Sequence, residues 1–111
     1  MKVYSHIKAL IYFACLVSSI VTYGQSPTKK QYIAKAEEQF ADKNYYGALI
    51  YYNEALTFDE NDKEIIFKSA ESARLFNSYA RAAEKYQYLV DSLNDDTHPT
   101  AVYWLANMKQ R

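Results

Sequence analysis

The 111-residue sequence is poor in several residue types, and each shortage excludes something. Two glycines and two prolines are too few for a chain of many tight turns, and no stretch alternates cleanly between polar and apolar residues. Both observations argue against a β fold and for helices. One cysteine, Cys15, excludes a disulfide framework. Lys and Arg number 13 against 13 Asp and Glu, so there is no cationic surplus to displace counterions from nucleic acid, which is not an expected partner. The sequence has no Gly-rich phosphate loop. It also shows no nucleophile beside a base, no opposed acid pair and no ligand cluster. The expectation is a chain that is not an enzyme, with no cofactor, no metal and no small-molecule substrate.

Long apolar runs are missing too, except at the front. Lys2 and Lys8 precede an uncharged run over 9–21, and Thr22 and Gly24 place small residues before a cut at Gly24/Gln25. This layout predicts a secretory signal peptide over 1–24 and an exported product. The run falls short of the ~20 residues a spanning helix needs. Cys15 reads as a residue of the apolar run. The alternative, a lipidated first residue of a mature lipoprotein, lacks the usual Leu three positions before it, where Tyr12 stands.

What the chain does have is tyrosine, 12 residues. A ring that packs and a hydroxyl that tolerates water suit half-buried helix faces, which is favoured over an aromatic cage for a cation. A short lead-in over 25–28 precedes a first helix, opened by Ser26 as cap with Pro27 at its first position and running to about residue 43. Asn44 caps a second helix, about 45–58. Asp59, Glu60, Asn61 and Asp62 lack the central Gly and distal Glu of a calcium loop, and Asn61 with Glu64 reads as a capping box for a third helix, about 62–75. A fourth covers about 79–93. Asp95, Asp96 and His98 form a polar link, with a surface metal site as the alternative reading, and Pro99 opens a fifth helix.

Stretch 44–62 organises the whole. Tyr45, Ala48, Tyr52 and Ala55 mark the packing face of the second helix, and Tyr79, Ala82 and Tyr86 return 34 residues after Tyr45, Ala48 and Tyr52. A period of about 34 residues marks paired-helix repeats. The spacing predicts an all-α solenoid of antiparallel helix pairs: repeat one over 29–62, repeat two over 63–96, and over 97–111 the first helix of a third. Ala106 lies 36 after Ala70, so that helix follows two inserted residues.

With Ala36 and Ala70 in the first helices, these positions resemble tetratricopeptide repeats. Departures are the missing Gly before each turn, Glu60 at the inter-repeat proline position, and Arg74 where Phe40 stands in repeat one. The resemblance implies a concave surface lined by Ile33, Glu37, Phe40, Phe67, Glu71 and Arg74, suited to a protein or peptide partner. Reversing two charges there (Glu71→Lys with Arg74→Glu) is then expected to weaken capture without unfolding. An assembly role would use outer-face residues such as Tyr51 and Tyr88 instead.

A signal peptide ending in YGQ, with KAEEQFADKNYYGALIYYNEAL and SAESARLFNSYARAAEKYQYLV after it, is similar to the front of exported OmpA-family envelope proteins of Gram-negative gliding bacteria. Some of those proteins are linked to type IX secretion. That resemblance implies an envelope location, in the periplasm or at the outer membrane, and contact with peptidoglycan only through later domains not found in this sequence. Val102, Tyr103, Trp104 and Leu105 wrap the fifth helix in apolar surface, which predicts a further helix packed on it and a longer parent protein.

Overall fold

The computed structural model describes residues 26–110. The signal-peptide reading of 1–24 and both readings of Cys15 lie outside the described residues. Those residues form no strand; they fold into α1 (Lys29–Ala41), α2 (Tyr45–Leu56), α3 (Lys63–Leu75), α4 (Tyr79–Gln87) and α5 (Pro99–Lys109). One π-type turn, Tyr88–Ser92, prolongs α4. Packing runs down the chain, α1 on α2, α2 on α3, α3 on α4 and α4 on α5. The fold is an all-α helical-repeat solenoid of two antiparallel pairs and the first helix of a third. Helix starts keep the period: Lys63 stands 34 after Lys29, and Tyr79 stands 34 after Tyr45.

Local chemistry sets the helix ends, and it corrects two expected caps. Ser26 and Pro27 do not open α1. Thr28 does, accepting from the Gln31 N–H at 3.3 Å while the Gln31 amide oxygen accepts from the Thr28 N–H at 2.8 Å. Only Thr28 has a glutamine three residues on, so only it closes the reciprocal pair. Asn61 does not cap α3; Asp62 does, accepting from the Ile65 N–H at 3.2 Å. Asn44 caps α2 as expected, taking the Gly47 N–H at 3.1 Å. A Cβ at residue 47 would come within 2.7 Å of the Asn44 Nδ2, so the glycine makes room for that cap. In repeat two the same place is Arg81, and Ser78 makes no side-chain cap bond.

Each pair turns on a left-handed residue, Lys43 with φ 61° and Asn77 with φ 65°, again 34 apart. The following N–H reaches back across the last helical turn, Asn44 to the Gln39 carbonyl and Ser78 to the Ala73 carbonyl. This satisfies carbonyls the helix would otherwise leave open. The closure forms without the glycine that usually adopts such a φ.

Two apolar clusters follow. Ala36, Ala48, Tyr52, Ala55 and Ile65 make the first, and Leu49, Ile66, Ala70, Ala73, Ala82, Tyr86, Leu89, Ala101 and Leu105 make the second. Ala48, Ala55 and Ala82 have no exposed surface, and their small side chains let adjacent helices approach. Tyr45 is half-buried and meets Phe40 edge-on at 5.3 Å. Tyr79, also half-buried, donates its hydroxyl to Asn77 at 2.9 Å.

Besides capping α3, Asp62 ties the start of that helix to α1, taking Lys29 Nζ at 2.7 Å across 33 residues. Burial alone would raise its pKa, but the bonds from Lys29 and the Ile65 N–H outweigh that and lower it. Asp62→Ala removes cap and ion pair together and is expected to cost about 1–2 kcal/mol. Asp62→Asn, which keeps a capping oxygen, should cost less in the same urea titration. Equal losses would mean that the cap contributes nothing.

Candidate functional site

α1, α2 and α3 enclose an open hollow of about 400 Å³ lined by Glu37, Phe40, Ala41, Tyr52, Phe67, Lys68 and Glu71. Four of the six concave-surface residues expected from the sequence, Glu37, Phe40, Phe67 and Glu71, therefore come together here. Ile33 does not line it; half-buried, it packs with Tyr32 and Phe40 against the first cluster. Arg74 does not line it either. Its guanidinium donates to Glu71 at 2.6 Å and lies 3.9 Å over the Trp104 ring. The lining residues not anticipated for this surface are Ala41, Tyr52 and Lys68.

The hollow has an apolar floor and a charged rim. Phe40 and Phe67 supply rings from successive repeats, and Tyr52 is buried between them in sequence order. Lys68 donates to Glu37 at 3.0 Å and lies 4.0 Å from Glu64. Burial of Lys68 works to lower its pKa, but the bond to Glu37 and the charges around it raise it on balance. The ammonium thus stays charged, tied between acids of two repeats.

Glu71 is not a free rim charge. One carboxylate oxygen accepts from Arg74, and the other accepts a short hydrogen bond from the Tyr86 hydroxyl. Tyr86 has no exposed surface, and burial, followed by that bond, pushes its pKa up. Glu71, Arg74 and Tyr86 therefore form a structural knot beneath the hollow. This corrects the expectation for the Glu71→Lys and Arg74→Glu exchange. It would strand the Tyr86 hydroxyl as well as alter the surface, so it does not separate binding from folding.

Tyr51 is likewise less free than an outer-face reading implies. It is half-buried, with its ring 6.5 Å from Tyr32. Tyr88 does lie on the surface, 42% exposed, with its hydroxyl on Asn61 at 2.6 Å.

A second constellation was not anticipated. His98, expected in a solvated link, stacks on Phe67 with ring centres 4.3 Å apart. Its Nδ1 lies 2.7 Å from Asp95 Oδ2 and its Nε2 lies 2.8 Å from Glu64 Oε2. The signal was present but unread, since Glu64 stands 34 residues before His98. Among the described residues no three His, Cys, Asp or Glu side chains are grouped so as to hold a metal ion. Nor is any helix among them long and apolar enough to cross a membrane.

Set against known proteins, the chain matches no family model, no curated protein and no solved structure. Its reading rests on its own geometry.

Proposed function

We propose that this chain is a non-catalytic, exported scaffold of the tetratricopeptide kind that binds a protein or peptide partner in the envelope of a Gram-negative bacterium. On this reading it forms the front of a longer OmpA-family protein. The observation that carries the binding role is the hollow shared by α1, α2 and α3, where rings from both repeats stand beside a charged rim. An apolar floor bordered by a few polar groups is what a partner side chain needs for affinity and orientation together.

Ala41 is exposed and lines this hollow, and the Glu37–Lys68 pair is solvent-facing. Filling the hollow with Ala41→Arg and reversing its rim with Glu37→Lys, which gives up the bond to Lys68, should change stability by only about 1 kcal/mol. Capture of partners from an envelope extract should fall about tenfold or more, read by quantitative mass spectrometry with the circular dichroism spectrum as fold control. Capture that survives both changes and disappears with Tyr88→Ala would favour the second reading, a spacer or assembly module of a secretion or gliding complex that uses the outer face. That reading draws on the exposure of Tyr88 at a smaller hollow, about 300 Å³, lined also by Leu56, Arg81 and Lys85.

Export and parentage are tested by the intact mass of the native product. A species beginning at Gln25 and heavier than this chain supports both. A species acylated at Cys15 would instead support a nutrient-binding helical-repeat lipoprotein.

A further inference from the structure

The two repeats place the same set of side chains 34 residues apart, and only repeat two completes it. There Tyr86 donates its hydroxyl to one Glu71 oxygen and Arg74 donates to the other at 2.6 Å. The Arg74 guanidinium also lies 3.9 Å over the Trp104 ring. The counterparts in repeat one are Tyr52, Glu37 and Phe40. Tyrosine and acid are kept, and a ring stands where the guanidinium would be.

Lys68 meets part of that loss. It donates to Glu37 Oε1 at 3.0 Å, while the other Glu37 oxygen bonds no group among the described residues. Tyr52 is left over altogether. It is only 2% exposed and lines the hollow, yet its hydroxyl makes no hydrogen bond among the described residues. Of their side-chain nitrogens and oxygens, the one that is both sealed from solvent and unpaired is Arg74 Nε. The Tyr52 oxygen is therefore not sealed, and it opens on the hollow. A hydroxyl so placed is costly until a polar group meets it.

Charge and shape narrow the class of that group. Around the hollow, Glu37, Glu64, Glu71 and Asp95 outnumber Lys68, Arg74 and a protonated His98. An anion would meet this acid excess. The Phe40 and Phe67 rings favour a cation laid against them. A guanidinium has a flat face for a ring and a fork of donors that can bridge two acceptors, whereas an ammonium has no flat face.

We propose that the hollow receives an arginine side chain of the partner, which supplies to repeat one the guanidinium that Arg74 supplies to repeat two. It donates to the open Glu37 oxygen and to the Tyr52 oxygen, and it rests against the Phe40 and Phe67 rings. This names the anchoring residue of the partner and rests on the binding role proposed for the hollow.

The test titrates the full 111-residue chain, isotope-labelled for NMR, with N-acetyl-arginine amide. The backbone amide signals of Glu37, Phe40, Phe67 and Lys68 are expected to shift along one saturating curve. The lysine and glutamine analogues of the probe should bind about threefold weaker or worse. Tyr52→Phe deletes only the unpaired hydroxyl, so the urea midpoint should hold while affinity falls about threefold. Glu37→Gln should weaken binding about tenfold. Three results would overturn the proposal: equal binding of the three probes, parental affinity in Tyr52→Phe, or no saturating shift up to the solubility limit of the probe. Failure of the wider reading looks different. Partner capture that Ala41→Arg removes but excess N-acetyl-arginine amide does not compete away would keep the hollow as a binding site and strike the arginine.

Discussion

Replacing Tyr86 with alanine is expected to remove about 3–5 kcal/mol of stability, enough to unfold much of the second repeat. The ring has no exposed surface, packs against Phe67 at 6.2 Å and belongs to the cluster that holds α3, α4 and α5 together. Truncation would leave a void among helices whose small residues, Ala70, Ala73 and Ala82, cannot refill it. Tyr86→Phe separates packing from hydrogen bonding. The ring stays, while Glu71 loses the hydroxyl and keeps Arg74, for an expected cost of about 1–2 kcal/mol. Urea unfolding followed by both circular dichroism and Trp104 fluorescence reads the two losses. If the phenylalanine variant were as unstable as the alanine variant, the knot and not the ring would be the main contributor.

The second large effect is a pH dependence centred on His98. Burial alone would lower its pKa, but the hydrogen bonds to Asp95 and Glu64 and their charges raise it above the ordinary 6.5. A protonated ring donates from both nitrogens, to Asp95 in the link and to Glu64 on α3, while resting on Phe67. Thr97 bonds the same Asp95 carboxylate, and Lys68 lies beside Glu64. Because the folded pKa is raised, this contribution is complete below about pH 6.5 and is lost as the pH climbs through the folded value.

Asp95 behaves in the opposite sense. Burial would raise it, but Thr97 and His98 hold it down at about 2. Its share is present above the ordinary value of 3.8 and fades as the pH falls towards 2. The link should therefore grip best between those limits, in mildly acidic solution. The melting temperature should decline from about pH 6 to pH 9 in the parent chain, and His98→Gln should flatten that decline. A slope unchanged by the substitution would assign the pH response to other groups.

Much of the architecture was legible because it is periodic. Tyr45 with Tyr79 and Ala48 with Ala82 located both second helices, and Asn44 and Pro99 marked helix starts by chemistry that depends on one or two neighbours. Expectation and structure parted where the outcome depends on competition between adjacent candidates. Ser26 and Thr28 can both cap, and the Gln31 amide decides between them. Asn61 and Asp62 can both cap, and Lys29, distant in sequence, adds its weight to Asp62.

The π-type turn at Tyr88–Ser92 left no pattern in the side chains. It falls where repeat two gains the two residues that shift the period from 34 to 36. For the hollow, residue types on the first helices picked out Glu37, Phe40, Phe67 and Glu71, which line it, yet a helical wheel cannot tell a free carboxylate from one held by a buried hydroxyl. Glu71 is the held kind, and only the position of Tyr86 shows it.

Stacking each helix mainly on its neighbours in sequence also sets the route by which the chain folds. No pairing has to wait for distant segments to meet, so the entropy of closing each loop stays small and the contact order low. Structure can begin in either pair and spread along the array as a one-dimensional transition. The two ends then behave unequally. α1 starts from a complete capping box, whereas α5 starts without a side-chain cap bond, so the first-turn amides of α5 should exchange sooner than those of α1.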